Sequence, residues 1–490
     1  MRRWQHLIGG RWVDGADGRT FETTNPATGA HLAEVADGGA EDVDRAVKAA
    51  EKAFRESSWA TDAEGRAAAL GRVAEGLIRR QGDFVDVEVS DTGLPVTQAR
   101  GQAVRAARNF SFFAEMATRL SGETYPQPGR FLNYTLRRPV GVAGLITPWN
   151  TPLMLESWKV APCLASGNTC VLKPAEWSPL SAVLLGEVIA EAGVPDGVFN
   201  IVHGLGETAG APLVAHPDVP LISFTGETTT GKTIIRSGAE HLKRVSMELG
   251  GKSPVVVFAD ADLERALDAV VFGVYSLNGE RCTAGSRLLV EDSIYPAFIE
   301  RLAQRVAAIR VGDPTDPATE VGPLIHPDHL ERVLGYLQGA REEGATVLVG
   351  GGRPAGVAGG NYLLPALITD VQPAMRVVQE EVFGPVLVAM PFHGEEEALE
   401  LANGVRYGLA AYLWTEQLTR AHRLAAGLLA GMVWVNSQNV RDLRTPFGGA
   451  KESGIGREGG DYSFDFYTET TTVQVALGPH PIPKFGATPR

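Results

Sequence analysis

A cysteine and a glutamate in two glycine-containing segments have the side chains that covalent catalysis requires. Cys282 lies within Asn278–Arg287, between the expected end of a helix and the start of a strand, and Glu248 precedes Gly250-Gly251. A thiol becomes an effective nucleophile when a nearby carboxylate serves as a general base. Cysteines are more often inert packing residues, so neither side chain indicates catalysis alone. Together they predict nucleophilic catalysis rather than simple binding.

Alternating strand and helix patterns would position these two residues. Short apolar runs alternate with helical periodicity, as over Ser178–Ala192, and the alternation restarts after Gly250-Gly251. This alternation predicts α/β units with parallel sheets covered by helices, and a terminal edge strand is expected over Thr470–Leu477. The predicted strands are Val142–Thr147, Thr169–Leu172, Val198–Val202, Leu221–Thr225, Pro254–Phe258, Leu288–Val290, Thr346–Val349, Leu363–Thr369 and Met432–Val435.

The composition is that of a globular protein in a reducing compartment. The chain has 490 residues, a net charge of −13 and three cysteines, and its length favours two or three domains. So acidic a chain is poorly suited to a phosphate backbone, and we expect no nucleic-acid partner. No apolar stretch matches a signal peptide or a membrane span, and the ten histidines show no ligand spacing. We therefore expect a cytoplasmic protein without a membrane partner or a metal.

One loop allows a different function. The segment Gly226–Thr233 matches the P-loop pattern, follows a predicted strand and opens a helix. A loop that wraps phosphates rarely contains a carboxylate such as Glu227, and the same helix N-terminus could serve the pyrophosphate of a nicotinamide dinucleotide. A P-loop nucleotide hydrolase therefore remains an alternative to nucleophilic catalysis by Cys282.

The chain resembles the NAD(P)-dependent aldehyde dehydrogenases over essentially its whole length. Seven segments carry this resemblance, in the order of that family: Thr147–Asn150, Leu172–Glu176, Ser223–Gly226, Glu248–Lys252, Gly279–Cys282, Glu381–Pro385 and Pro446–Gly449. The resemblance implies a Rossmann-like cofactor domain from residues 1–119 and 141–250 and a catalytic α/β domain from residues 251–450. It also implies a small β oligomerisation flap from residues 120–140 and 465–490, in a homodimer or homotetramer.

The resemblance assigns a role to each catalytic side chain. Cys282 would add to the aldehyde carbonyl, and the Asn150 amide with the Cys282 backbone N–H would form the oxyanion hole. Glu248 would activate water to hydrolyse the resulting thioester. CoA-acylating relatives typically lack this glutamate, so water is the expected acyl acceptor.

The resemblance also implies NAD as the cofactor. Lys173 and Glu176 would hold the adenosine ribose, and a carboxylate at Glu176 would repel the 2′-phosphate of NADP. Glu381 would bind the nicotinamide ribose, and Phe383 would pack near the nicotinamide. The expected cofactor set is completed by Trp149, Thr225, Gly226, Gly231 and Leu249, with the two glycines near the pyrophosphate. Glu227 departs from the small residue that the family usually has at its position.

The substrate is expected to be an anionic semialdehyde. Segments 440–447 and 454–460 resemble the semialdehyde dehydrogenases of aromatic meta-cleavage pathways. Segments 278–281 and 480–486 resemble a narrower group of these enzymes, and this resemblance implies 5-carboxymethyl-2-hydroxymuconate semialdehyde, from hydroxyphenylacetate breakdown, as the substrate. Arginine forks suit carboxylates, and the expected pocket contains Arg105, Arg108, Trp158, Arg441, Arg444 and Phe447. A 2-hydroxymuconate or betaine-type aldehyde remains the alternative, since single arginines are often surface ion pairs and aromatic rings suit a cation.

Overall fold

The first of two large sheets has a parallel centre with antiparallel edges. The computed structural model describes residues 3–127, 130–356 and 359–486. The eight strands of this sheet lie in the order Gly454–Ile455, Arg244–Glu248, Leu221–Thr225, Val142–Ile146, Thr169–Lys173, Phe199–Ile201, His6–Ile8 and Arg11–Val13. The five strands from Arg244–Glu248 to Phe199–Ile201 are parallel. Both faces of the three central strands, Val142–Ile146, Thr169–Lys173 and Leu221–Thr225, are buried, which explains their mainly apolar sequences.

The strand order of this sheet reverses beside Val142–Ile146. From that strand the chain builds outward through Thr169–Lys173, and it then returns to place Leu221–Thr225 on the other side. In doubly wound sheets, ligands bind beyond the carboxyl ends of the strands where the order reverses. Most of the predicted site residues lie in the segments that leave these carboxyl ends.

The second large sheet is also mainly parallel. Its seven strands lie in the order Thr346–Val349, Ala366–Thr369, Val386–Phe392, Arg287–Glu291, Pro254–Val257, Ala410–Trp414 and Met432–Val435. The edge pair Thr346–Val349 and Ala366–Thr369 is antiparallel, and the other neighbours are parallel. Alternate residues of its strands enter two separate apolar clusters, one on each face. The strand predicted to start at Leu363 starts at Ala366 instead, because Pro365 has no N–H for the ladder.

A smaller antiparallel sheet contains the segments predicted to form the oligomerisation flap. Thr468–Ala476 pairs with Phe131–Pro139 along its whole length, and Phe131–Pro139 pairs with Thr124–Gln127. The predicted terminal edge strand therefore finds a partner within the chain. Most side chains of this sheet are exposed or partly exposed. Residues 128–129 and 487–490 of the predicted flap lie outside the described residues, and its role in oligomerisation stays a prediction.

Fifteen α-helices within the described residues cover the sheets. The remaining short strands form a three-stranded sheet, Arg3–Trp4, His31–Ala36 and Thr20–Thr24, and a two-stranded sheet, Tyr407–Gly408 and Ala450–Lys451. The helices are Ala40–Glu56, Ala63–Arg79, Gln81–Thr92, Val96–Ala117, Pro152–Ala165, Leu180–Glu191, Ala211–Ala215, Thr228–Gly238, Leu263–Tyr275, Tyr295–Ala307, Pro327–Glu342, Arg376–Gln379, Gly394–Asn403, Leu418–Gly427 and Gly460–Tyr467. None of these described helices is both long enough and apolar enough to cross a membrane.

Candidate active site

The predicted nucleophile follows a turn with an unusual backbone. After the helix Leu263–Tyr275, the three successive residues Leu277, Asn278 and Gly279 all have positive φ. A Cβ atom at Gly279 would lie 2.2 Å from the carbonyl carbon of Gly384, so the turn requires glycine there. The Asn278 side chain fixes the turn by hydrogen bonds to three backbone groups of neighbouring segments. The turn therefore holds the cysteine that follows it in a defined position.

Asn150 and Glu248 come from the carboxyl ends of strands in the first sheet. Both are buried, with exposed fractions of 6% and 4%. The Asn150 amide donates a hydrogen bond of 2.8 Å to the carbonyl oxygen of Glu280, which ties this amide to the cysteine segment. Glu248 ends its strand, and its Oε1 has no hydrogen-bond partner among the described residues. Gly448 leaves room for this oxygen, because a Cβ there would lie 2.7 Å from it.

Two cavities meet at these residues. The first has a volume of about 1000 Å³ and the second a volume of about 570 Å³. Six residues line both cavities, namely Asn150, Leu155, Thr225, Glu248, Leu249 and Cys282. The structure thus brings the three predicted catalytic side chains together where two ligands could reach the same sulfur atom.

Burial and neighbouring charges control the proton affinity of the sulfur. Burial, with the negative charges of Glu381 and Glu248, raises the pKa of the Cys282 thiol to about 12, although the positive charge of Arg281 opposes this shift. These surroundings therefore favour the neutral thiol at pH 7. A positive charge brought by a ligand would favour the thiolate, which is the reactive form.

A buried ion pair lies close to the predicted general base. Lys159 Nζ is 2.9 Å from Oε1 of Glu458, and Ser223 donates to the same carboxylate oxygen at 3.2 Å. Burial raises the pKa of Glu248 well above its usual range, the charge of Glu458 raises it further, and the charge of Lys159 opposes the rise. Sequence reasoning missed this pair because its members are 299 residues apart, so no local spacing indicates the contact.

The second cavity contains most of the residues predicted to bind the cofactor. It is lined by Trp149, Thr225, Gly226, Leu249, Glu381 and Phe383, among others. Glu381 Oε1 accepts a hydrogen bond of 2.9 Å from the backbone N–H of Gly251, and burial raises the pKa of this carboxyl group to about 7. The Phe383 ring packs edge-on against Trp149 with a centroid distance of 5.2 Å. The buried Thr225 hydroxyl has no partner among the described residues, so a ligand could satisfy it.

Lys173 and Glu176 form an ion pair beyond the strand Thr169–Lys173. Lys173 Nζ donates to Glu176 Oε2 at 2.7 Å, and the Glu176 side chain is 35% exposed. Neither residue is among those that line the two cavities. The pair lies at the same end of the sheet as the second cavity, because its strand is parallel to Val142–Ile146.

The loop that matches the P-loop pattern is already satisfied by groups of the protein. The Glu227 carboxylate caps the helix Thr228–Gly238 by accepting from the N–H groups of its second and third residues. Lys232, which would hold a phosphate in a P-loop, pairs with Glu452 at 2.9 Å. The amides and the lysine needed for phosphate binding are therefore occupied, and the structure gives no support to a P-loop hydrolase.

The two glycines predicted near the pyrophosphate differ in position. Gly226 lines the second cavity, directly after its strand. Gly231 lies inside the helix, where its N–H donates to the carbonyl of Glu227 and its Cα faces Leu249. Gly226 therefore lies in the candidate site, whereas the Gly231 amide is used within the helix, and the closeness of both glycines to a pyrophosphate stays a prediction.

The first cavity combines positive and aromatic side chains. Its lining includes Arg105, Arg108, Trp158, Arg281, Arg441 and Phe447. The Arg441 guanidinium lies 3.9 Å from the ring centroid of Phe447 and 4.7 Å from that of Trp158. Burial lowers the pKa values of Arg105 and Arg441 to about 10, so both remain charged at neutral pH. Among the described residues, neither arginine forms an ion pair with a carboxylate.

Arg444 does not belong to this lining. Its side chain is 78% exposed and pairs with Asp442 at 2.6 Å. The prediction that placed Arg444 in the substrate pocket is corrected accordingly, since solvent and Asp442 satisfy its charge outside the cavity. Arg281, which was not predicted, lines the cavity instead. Its position immediately before Cys282 was the signal in the sequence that could have indicated a place in the site.

Comparisons with known proteins agree with this geometry. The family described as "Aldehyde dehydrogenase family" matches residues 12–473. The 5-carboxymethyl-2-hydroxymuconate semialdehyde dehydrogenase of Escherichia coli is 52% identical over 470 residues, or 94% of this chain and 99% of that protein. A 2-hydroxymuconic semialdehyde dehydrogenase of Pseudomonas sp. (strain CF600) is 47% identical over 486 residues, or 97% of this chain and 100% of that protein. The NAD⁺ complex structure of an aldehyde dehydrogenase from Bacillus cereus has a TM-score of 0.96 and 42% identity, with 97% of both chains covered.

These matches confirm the fold expected from the seven sequence segments. The match extends over both large sheets and the small antiparallel sheet, since residues 12–473 include nearly all of their strands. The similarity in sequence to the Escherichia coli relative covers 94% of this chain, and the similarity in structure to the Bacillus cereus enzyme covers 97% of it. This chain therefore belongs to the aldehyde dehydrogenase family.

Proposed function

We propose that this chain oxidises an anionic semialdehyde, 5-carboxymethyl-2-hydroxymuconate semialdehyde, to the carboxylic acid with NAD, in the breakdown of aromatic compounds. Family membership supports the oxidation of an aldehyde. The two relatives described above act, by name, on related muconic semialdehydes. One observation carries the choice of an anionic substrate. The first cavity contains two charged arginines, Arg105 and Arg441, that form no ion pair with a carboxylate among the described residues.

The arrangement of catalytic side chains supports a covalent mechanism. Cys282 forms a bond to the aldehyde carbon, and the Asn150 amide donates a hydrogen bond to the oxygen that becomes negative. Oxidation then leaves a thioester on the sulfur. Glu248 accepts a proton from water as that water attacks the thioester, which releases the acid and restores the thiol. A bound nicotinamide dinucleotide supplies the hydride acceptor and a positive charge that favours the thiolate.

The residues of the second cavity suit a nicotinamide dinucleotide. Glu381 offers a buried carboxylate to ribose hydroxyls, and Thr225 offers an unsatisfied hydroxyl. A Cβ at Gly250 would lie 2.1 Å from Glu381 Oε2, so this site needs a glycine to leave space for the carboxylate. Glu176, held by Lys173, would repel a 2′-phosphate and thereby favour NAD over NADP.

The aromatic residues of the first cavity argue against a cationic substrate. A quaternary ammonium group would need the open face of an aromatic ring. The Arg441 guanidinium already covers one face of Phe447 and one face of Trp158. A betaine-type aldehyde would also meet the repulsion of Arg105 and Arg441. An anionic substrate gains from both features.

Steady-state kinetics with three aldehydes tests the proposal. NADH formation is measured with 5-carboxymethyl-2-hydroxymuconate semialdehyde, 2-hydroxymuconate semialdehyde and betaine aldehyde, each with NAD and with NADP. We expect the highest kcat/KM for the first aldehyde with NAD and the lowest for betaine aldehyde. Equal or better turnover of betaine aldehyde would contradict the anionic substrate, and no NADH from any aldehyde would contradict the dehydrogenase itself.

Replacement of Asn150 with alanine is expected to lower kcat by about 100- to 1000-fold, as the loss of an oxyanion-hole donor typically does. An amide nitrogen carries two N–H groups, and the carbonyl of Glu280 takes one of them, so the other can serve the substrate oxygen. Because this donor stabilises the negative charge that develops on the substrate oxygen, kcat should fall while the Kd for NAD changes little. A loss of less than about fivefold in kcat would assign the donor role elsewhere.

The predicted roles of the structural units complete the proposal. We assign cofactor binding to residues 1–119 and 141–250, the nucleophile to residues 251–450, and oligomer contacts to segments 120–140 and 465–490. The exposed apolar residues Leu132, Leu136 and Val475 on the small antiparallel sheet support contact with a second copy of the chain. Light scattering would distinguish a homodimer or homotetramer from a monomer.

A further inference from the structure

Arg281 is a buried positive charge with no carboxylate partner among the described residues. Its exposed fraction is 8%, and it precedes the nucleophile Cys282 directly in the chain. Its guanidinium carbon lies 5.4 Å from the ring centroid of Phe272, and its Nε and Nη1 have no hydrogen-bond partner among the described residues. No carboxylate in the described part of the chain forms an ion pair with it. Such a buried, unpaired charge is costly unless an anion binds to it.

The first cavity is where that anion would bind. Arg281 is one of its lining residues, together with Arg105 and Arg441. The positive charges of both Arg281 and Arg441 lower the pKa of Arg105, so Arg105 lies within interaction range of each. Arg441 is held in this positive region by its stacking on Phe447. Arg281 is held there by its place in the chain, since its backbone adjoins that of the reacting cysteine. The cavity thus offers two places for carboxylates rather than one.

We propose that Arg281 binds a second carboxylate of the substrate, one attached next to the aldehyde carbon. This inference rests on the proposed function and narrows its substrate class. In 5-carboxymethyl-2-hydroxymuconate semialdehyde, a carboxymethyl branch sits on the carbon that bears the aldehyde, whereas another carboxylate lies at the far end of the chain. When Cys282 attacks the aldehyde, that branch must lie close to the sulfur. Arg281 is the arginine whose place in the chain meets this requirement, and Arg105 with Arg441 serves the distant carboxylate.

An alternative role for Arg281 would act through the cysteine instead. Its positive charge lowers the pKa of the Cys282 thiol and so favours the thiolate. That effect would help every aldehyde equally, because it does not depend on a branch in the substrate. The two roles therefore predict different patterns across a pair of substrates that differ only in the carboxymethyl group.

The test compares kcat/KM for 5-carboxymethyl-2-hydroxymuconate semialdehyde and 2-hydroxymuconate semialdehyde in the full-length protein with NAD. For Arg281→Gln we expect a loss of about 30- to 100-fold with the branched substrate, as removal of one partner of a buried charge pair gives. With the unbranched substrate the loss should stay below about fivefold. Arg444→Gln is the matched control, since that arginine is exposed and lies outside the cavity. The Arg444→Gln variant should have the same ratio of kcat/KM values for the two substrates as the unsubstituted protein.

A second variant and a second readout separate the outcomes. Arg281→Lys keeps the charge but loses the planar fork, so it should lower kcat/KM for the branched substrate by about tenfold. This variant provides the test if the glutamine variant fails to fold. Equal losses with both substrates, together with a higher pH midpoint for alkylation of Cys282 by iodoacetamide, would overturn the inference in favour of the cysteine role. Unchanged kinetics in both variants would also overturn it. If the unsubstituted protein oxidises neither semialdehyde, it is the proposed function that fails.

Discussion

Replacement of Cys282 with serine is expected to lower aldehyde-dependent NADH formation by at least about 10⁴-fold, the largest effect of any single change in this protein. The serine hydroxyl is nearly isosteric with the thiol, so both cavities should keep their shape. It is a far weaker nucleophile at neutral pH, and no histidine lines either cavity to activate it. Steady-state NADH absorbance measures the rate, and the binding of NAD to the variant shows that the second cavity is intact.

The other two cysteines provide the matched control. Cys163 and Cys170 are fully buried within the apolar core beneath the first sheet. Cys163→Ala removes a thiol of the same chain without touching either cavity, so it should retain most of the activity. It should lose only the stability of a small core truncation, about 1 kcal/mol. Activity that survives in Cys282→Ser, or disappears in Cys163→Ala, would contradict the assignment of the nucleophile.

The candidate catalytic residues could be predicted from the sequence because each lies in a short segment with recognisable local constraints. Cys282 follows a turn that requires Gly279, and Glu248 ends a strand before two glycines, so local constraints mark both positions. Four of the five parallel strands of the first sheet were also recognisable from their apolar runs, whereas Arg244–Glu248, which has polar residues at three of its five positions, was not predicted. These features depend on residues that are close in the chain, which is what a pattern in one sequence can reveal.

Features that depend on distant contacts were not recognisable in this way. The Lys159–Glu458 ion pair forms only when the chain returns to the first sheet near its end. The strand Val386–Phe392 was not predicted, and Pro391 counts against a strand. It is tolerated because the neighbouring strand Ala366–Thr369 reaches only to Val388, so one side of the ladder is open at the proline. The position of Arg444 outside the cavity has a different, local cause, because its side chain pairs with Asp442 two residues earlier.

Glu248→Gln is expected to separate the two halves of the reaction. Removal of the Glu248 charge lowers the pKa of the Cys282 thiol, since that charge contributes to its rise, so formation of the thioester should not be slowed. Glutamine cannot accept a proton from water, and the loss of a general base typically costs about 100- to 10,000-fold. Rapid mixing of the variant with NAD and aldehyde should therefore give a burst of about one NADH per subunit, followed by a very slow steady rate. Mass spectrometry should detect the acyl group on Cys282.

The pH dependence of the steady rate tests the same role independently. Burial and the charge of Glu458 raise the pKa of Glu248 well above its usual range, and only the carboxylate form can accept a proton. In the unsubstituted protein the rate of thioester hydrolysis should therefore rise with pH through this raised pKa and fall below it. The same dependence should be absent from Glu248→Gln, because glutamine does not titrate. A variant that turns over at an undiminished rate, or that keeps the pH dependence, would assign the activation of water to another group. Glu458 would then be the next candidate general base, since it lines the same cavity and forms an ion pair with Lys159.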